Sequence, residues 1–286
     1  MRAYVPAYEL TVPRTLDEAL ALVRDEPGVW RPFAGGTDLM VLLEAGRLEH
    51  RKFFSIRHLA ELRGVTESDG HVRVGALTSY TDVRRSELLA THFPMLGQAA
   101  RETGGIAIQN RGTVGGNIAN ASPAADTPPA LLAYAAEVEL VSADGARRVP
   151  YAEFHTGYKQ TVMRADELIA AVILPKPREG ARHFYRKVGT RRAQAISKVC
   201  FAGVAQFEGE TLAEVRIALG SVAPVVLRCR RTEEVLRGRR LDEEVLRAAL
   251  DELGREITPI DDVRSTARYR TRVAQNLLGE FLSGLI

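Results

Sequence analysis

RGTVGGNIANASPAADTPPALLA, from Arg111 to Ala133, is the stretch that most constrains what this chain is. Between Arg111 and Asp126 it carries no charge, yet it sets threonine, asparagine and serine side chains among glycines. Neutral donors of this kind, together with the glycine N–H groups, suit a ligand with a diphosphate and several hydroxyls better than a point charge. The surrounding segment, Gly104 to Pro129, shows neither a helical nor an alternating period and reads as one long irregular segment. Segments of that kind inside compact domains are usually functional. Asp126 has two readings: its carboxylate accepts hydrogen bonds from ligand hydroxyls and ring N–H groups, or it caps a helix opening near Thr127-Pro128.

Upstream, a short run from Trp30 to Ala34 leads into Gly35-Gly36-Thr37 and then into the apolar DLMVLLEA of Asp38 to Ala45. That order is strand, glycine turn, helix, and such a turn can hold an anion on outward-pointing N–H groups. The spacing matches neither G-x-G-x-x-G nor G-x-x-x-x-G-K-[ST], so the two standard nucleotide loops are absent. Before it, Thr15 to Asp25 places Leu16, Ala19, Leu20 and Val23 on one helical face and stops at Pro27-Gly28. With a strand at Lys52 to Ile56, these pieces make a small βαβ unit.

Downstream, the alternation around Asp69-Gly70 and again around Asp144-Gly145 predicts two hairpins. Helices are expected at Thr81 to Leu89 and Pro94 to Glu102, and LIAAVIL, Leu168 to Leu174, is a buried-strand run ending at Pro175-Lys176-Pro177. A domain boundary is expected there. It gives residues 1–176, with parts at about 1–57 and 58–176 and a mixed sheet in the second, and a smaller domain over 177–286. The latter should hold a three-stranded antiparallel sheet (Phe184 to Val188, Val199 to Phe207, Glu214 to Leu219), then helices at Thr232 to Arg237, Asp242 to Leu253 and Thr271 to Leu282. The fold class is therefore α+β.

The bulk numbers narrow the function. A net charge of +3, from 39 basic and 36 acidic residues, argues against nucleic-acid binding. No apolar run approaches the ~20 residues of a membrane span. The start, Met1 to Pro6, has no secretory pattern, so the cytoplasm is the expected compartment. Cys200 and Cys229 are the only cysteines, and neither belongs to a C-x-x-C pair, so no metal or cluster site is expected on this chain. His155 and His183 lack i, i+4 partners and read as surface or hydrogen-bonded core groups.

Taken together, AGGTDL (Ala34 to Leu39), the segment Arg111 to Ala133 and the closing DDVRSTARYRTRVAQNLLGEFL (Asp261 to Leu282) resemble the FAD-binding subunits of molybdenum hydroxylases. That family includes xanthine dehydrogenase, carbon monoxide dehydrogenase and 4-hydroxybenzoyl-CoA reductase, and the resemblance spans essentially the whole chain. It implies a two-part FAD-binding domain of the vanillyl-alcohol-oxidase type followed by a C-terminal flavoprotein domain. Cofactor contacts are implied at Pro32, Phe33, Ala34, Gly35, Gly36, Thr37, Asp38, Leu39, Thr103, Thr113, Val114, Gly115, Gly116, Asn117, Asp126, Ile169 and Lys187. Tyr185 is either a ring neighbour or plain core.

The resemblance also implies [2Fe-2S] clusters on a small iron-sulphur subunit and a molybdopterin cofactor on a large molybdenum subunit, in a dimer of heterotrimers. Electrons would leave FAD for a small-molecule acceptor such as NAD, with a purine or other aromatic heterocycle as the substrate class. No residue of this chain is expected to act as catalytic acid, base or nucleophile, because the flavin does the redox chemistry. Val188 to Lys198 resembles the loop that lies over the flavin in the xanthine dehydrogenase branch. It departs from that pattern with Ala193, Gln194 and Ala195 where acids can follow the arginine pair, so its charge is wholly cationic. Two cysteines also cannot carry the extra cluster of the 4-hydroxybenzoyl-CoA reductase branch. A stand-alone FAD oxidoreductase and a non-catalytic scaffold subunit are the alternative readings.

Overall fold

The computed structural model describes residues 6–191 and 194–286. The first unit runs β1 (Glu9–Thr11), α1 (Leu16–Asp25), β2 (Arg31–Phe33), α2 (Leu39–Glu44) and β3 (Lys52–Ser55). Its strands form a parallel sheet in the order β1-β3-β2. Thr15 caps α1, its Oγ1 accepting from the Glu18 N–H at 3.2 Å. The spacing of Ala19, Leu20 and Val23 then buries one face against Phe54, Ile56 and Leu59. The sequence left the three residues of β1 unassigned, since so short a run carries no period. Helix α2 buries none of its residues, although LMVLLE is almost wholly apolar.

The second unit opens with the hairpin β4 (Val65–Ser68) and β5 (His71–Gly75) and continues through six helices. These are α3 (Tyr80–Arg85), α4 (Glu87–His92), α5 (Pro94–Glu102), α6 (Ile106–Arg111), α7 (Val114–Ala119) and α8 (Pro128–Ala133). Then come β6 (Glu137–Ser142), β7 (Gly145–Pro150), α9 (Tyr151–Phe154), β8 (His155–Gly157), β9 (Gln160–Thr161) and β10 (Leu168–Pro175). The sheet order is β4-β5-β10-β6-β7, antiparallel throughout rather than mixed. Two further expectations are corrected. Thr81 to Leu89 is two helices, because Ser86 ends α3 in an extended conformation and caps α4 through its Oγ. Gly104 to Pro129 is not irregular: it holds α6 and α7 and the start of α8. Helices of six residues are too short to show a 3.6-residue period, and glycine, asparagine and proline mask their propensity.

The last unit is β11 (Arg182–Val188), β12 (Val199–Glu208), β13 (Thr211–Gly220), β14 (Leu227–Arg228), α10 (Arg230–Leu236), β15 (Arg239–Arg240), α11 (Glu243–Glu256) and α12 (Ala267–Ser283). Its sheet has five strands, not three, because β14 and β15 both pair with β13. Strand β12 is buried on both faces. Val199, Phe201 and Ala205 pack under the C-terminal helices, while Cys200, Ala202 and Val204 join the core of the second unit. Gly203 lies where a Cβ would meet the Phe281 ring at 2.7 Å, so α12 can press onto the strand. This two-sided burial brings β11 and β12 against α5 and α8, and that placement builds one end of the site.

Candidate functional site

The two glycine segments meet. Gly35 lies so close to the other segment that a Cβ there would fall 1.9 Å from the Arg111 carbonyl oxygen. Gly36 takes φ +75°, a left-handed value that glycine adopts without strain. The N–H groups of Gly35, Gly36, Thr37 and Asp38 have no hydrogen-bond partner among the described residues, so the first turn presents a run of uncommitted donors.

The second segment is wired differently. Thr113 caps α7 by accepting from the Gly116 N–H at 3.1 Å. Val114 and Gly115 donate to the Thr78 and Ala76 carbonyls at 3.0 and 2.8 Å, and Asn117 donates to the Thr113 carbonyl at 3.0 Å. The N–H groups of Val114, Gly115, Gly116 and Asn117 are therefore spent within the fold, contrary to the sequence-based expectation of glycine N–H donors there. Gly116 is exposed, and a Cβ on it would meet only Thr113 Oγ1, at 2.9 Å. Asn117 Oδ1 is buried without a partner among the described residues, which is costly unless a ligand supplies one. Ala76 also donates to the Ala170 carbonyl at 2.9 Å, which ties the start of β10, where Ile169 sits buried, to this segment.

A hairpin of β8 and β9 leans on the same place. His155 Nε2 bonds to the Ile118 carbonyl at 2.9 Å, and Lys159 Nζ at the hairpin tip donates to Asn120 Oδ1. A cavity of about 290 Å³ opens at the junction, lined by Gly35 and Thr113 from the two segments and by Arg57, Arg63, Asp82, Asn110 and Arg111 among others. Neither Asn117, Asp126 nor Lys187 lines it.

The other end is buried and charged. Lys187 Nζ donates to Asp126 Oδ2 at 2.6 Å and to the Glu102 carbonyl at 2.8 Å, next to Thr103 at the end of α5. Ser197 Oγ donates to Asp126 Oδ1 at 2.5 Å. The Lys187 and Asp126 side chains are only 3% and 10% exposed. Burial pushes the Asp126 carboxyl above its ordinary range, against the opposing pull of Lys187 and Ser197. Asp126 is thus no helix cap: the N-cap of α8 is Thr127, which makes no side-chain capping bond. Tyr185 is core: its hydroxyl donates to the Asp126 carbonyl at 3.1 Å and accepts from Cys200 Sγ at 3.2 Å. Ser197, fully buried, was missed by sequence reading, because a lone serine in a polar loop carries no pattern.

The loop Val188 to Lys198 passes close to Thr103. Gln194 donates its N–H to the Gly104 carbonyl at 3.4 Å, and its side chain lies where a Cβ of Gly105 would be. Arg192 and Ala193 of that loop lie outside the described residues. His155 is the hydrogen-bonded group expected; His183 is not, being partly buried with its Nδ1 unpartnered among the described residues.

Residues 6–177 match the family model of the FAD binding domain in molybdopterin dehydrogenase, and residues 183–285 that of the CO dehydrogenase flavoprotein C-terminal domain. The chain belongs to this family. It is 32% identical to a putative xanthine dehydrogenase FAD-binding subunit of Escherichia coli K12, over 94% of this chain and 92% of that protein. It is 29% identical to the carbon monoxide dehydrogenase medium chain of Hydrogenophaga pseudoflava, over 97% and 96% of the two chains. A solved structure of the H. pseudoflava carbon monoxide dehydrogenase superposes with a TM-score of 0.93 at 29% identity, covering 97% of this chain and 96% of that one. This chain is therefore an FAD-binding subunit of the molybdenum hydroxylase family. FAD fits the residues present: uncommitted N–H groups on one turn, an open glycine face on the other, and the unpartnered side-chain oxygen Oδ1 of Asn117. Among the described residues no helix is long and apolar enough to cross a membrane.

Proposed function

We propose that this chain holds the FAD diphosphate between Pro32 to Leu39 and Thr113 to Asn117, with the flavin end near Thr103, Asp126, Ile169 and Lys187. From there it relays electrons from [2Fe-2S] clusters on a small partner subunit to a soluble acceptor such as NAD. The molybdopterin cofactor sits on a large third subunit, which hydroxylates a purine or another aromatic heterocycle, and the assembly is a dimer of heterotrimers. The same reading divides the chain at Pro175-Lys176-Pro177 into the domains 1–176 and 177–286.

One combination carries the relay reading. The chain pairs a donor-rich crevice and a buried ion pair with only two cysteines, buried in different cores. Cluster ligands must come from another chain. Bound FAD supplies the electron and hydride chemistry. The residues of this chain bind, orient and shield. Gly35 to Asp38 donate N–H groups toward the diphosphate, and Gly116 lets it approach without a side chain in the way. Lys187 and Asp126 neutralise each other, so their contribution at the flavin end is a fixed set of hydrogen-bonding groups rather than a net charge. Ser197 holds one carboxylate oxygen and Lys187 the other, which keeps Asp126 in one orientation. Arg191 and Lys198 give the loop beside Thr103 a positive charge that favours an anionic acceptor.

Purification of the complex with metal analysis and visible spectroscopy tests this. Flavin, iron and molybdenum should travel together, and NAD should restore the flavin absorbance bleached by substrate. A lone flavoprotein that turns over substrate by itself overturns the relay, and a colourless folded chain within the complex overturns the flavin role.

A further inference from the structure

We propose that Lys159 is a cofactor-binding residue, supplying from the β8–β9 hairpin the positive charge that compensates the FAD diphosphate. The inference rests on the reading of the crevice given above.

The segments Pro32 to Leu39 and Thr113 to Asn117 contain a single charged side chain, and it is the anionic Asp38. A diphosphate brought beside Asp38 on neutral donors alone adds negative charge to negative charge in a half-buried cleft. Arg57, Arg63 and Arg111 line the cavity on the side of the junction where Gly35 and Thr113 also open into it. Lys159 is differently placed. Its Nζ donates to Asn120 Oδ1, at the residue that closes α7. Asp38, at the start of α2, is near enough to act on it electrostatically. The ammonium is thereby held at the end of α7, within electrostatic reach of Asp38.

The hairpin is built to keep it there. Gly157 pairs with Gln160, which leaves Tyr158 and Lys159 as a two-residue turn, and Lys159 takes φ +58°. A lysine adopts that left-handed conformation at a cost that glycine or asparagine would avoid. The hairpin is anchored by His155 on the Ile118 carbonyl and by the Val162 N–H on the Phe154 carbonyl at 3.0 Å. Partial burial lowers the Lys159 pKa and Asp38 opposes the shift.

The test is a fluorescence titration of the full-length chain, stripped of flavin, with FAD at low and high salt. Lys159→Ala should weaken FAD binding at least tenfold at low salt and flatten the salt dependence, while Lys159→Arg restores most of both. Riboflavin, which lacks the phosphates, should bind Lys159→Ala and the parent chain alike. Thermal unfolding of the flavin-free protein should not move, since the residue is exposed at a hairpin tip. Unchanged FAD affinity and salt slope in Lys159→Ala overturn the proposal, and so does an equal loss of riboflavin binding. Gly116→Val, run in parallel, separates the two readings. If it loses FAD while Lys159→Ala does not, only the lysine inference falls; if it too binds FAD normally, the crevice reading falls.

Discussion

The two ends of the site are built from opposite materials. The crevice between the glycine turns is half-exposed, nearly uncharged and made largely of backbone, whereas the end around Asp126 is buried, charged and made of side chains. In the crevice the ligand can be shut out with the fold left standing, because Gly116 contacts almost nothing else. At the buried end the groups that would face the flavin also hold three elements together: Lys187 on β11, the end of α5 and the segment before α8. Binding and folding are separable at one end and fused at the other.

Lys187→Ala should break the comparison most forcefully. It leaves a desolvated carboxylate without its partner, and losses from broken buried pairs run to about 3–5 kcal/mol. Urea denaturation checks this, and a variant as stable as the parent would mean that the pair is dispensable. Gly35→Val comes next. Its Cβ would sit 1.9 Å from the Arg111 carbonyl oxygen, so the turns must part, at a cost of about 1–3 kcal/mol for overpacking. FAD should be lost as well, as absorbance at saturating flavin would show.

Ser197→Ala removes one donor from a buried carboxylate and should cost about 1.5–3 kcal/mol, as hydrogen bonds to charged groups do. It also sharpens a pH effect. A carboxyl whose folded pKa lies above its unfolded one holds its proton more tightly in the folded chain. That contribution stabilises most below the ordinary carboxyl value and is lost as pH rises through the raised one. Without Ser197 the folded pKa should climb further, so unfolding free energy should fall with pH over a wider range. An identical pH profile in the two proteins would remove Ser197 from the account.

Long amphipathic stretches were readable in advance. Leu16, Ala19, Leu20 and Val23 declared α1, and the Asp-Gly pairs declared both hairpins. What the sequence hid has physical causes. The short helices α6 and α7 have no room for a period, and β14 and β15 are two residues each, held by tertiary context rather than propensity. At the site, the residue types of both glycine segments were legible. Whether their N–H groups were free was not, because Ala76 and Thr78, which absorb those of Gly115 and Val114, carry no sign of it. Ser197 and Lys159 become visible only once loop and hairpin close on Asp126 and Asn120.

The most direct test of the central claim, that FAD lies in the crevice, is the flavin content of Gly116→Val beside its unfolding curve. A valine there intrudes into the open face and otherwise crowds only Thr113 Oγ1, so stability should drop by no more than a lost cap, about 1 kcal/mol, while bound flavin vanishes. A folded Gly116→Val protein with the full flavin absorbance of the parent would contradict the account.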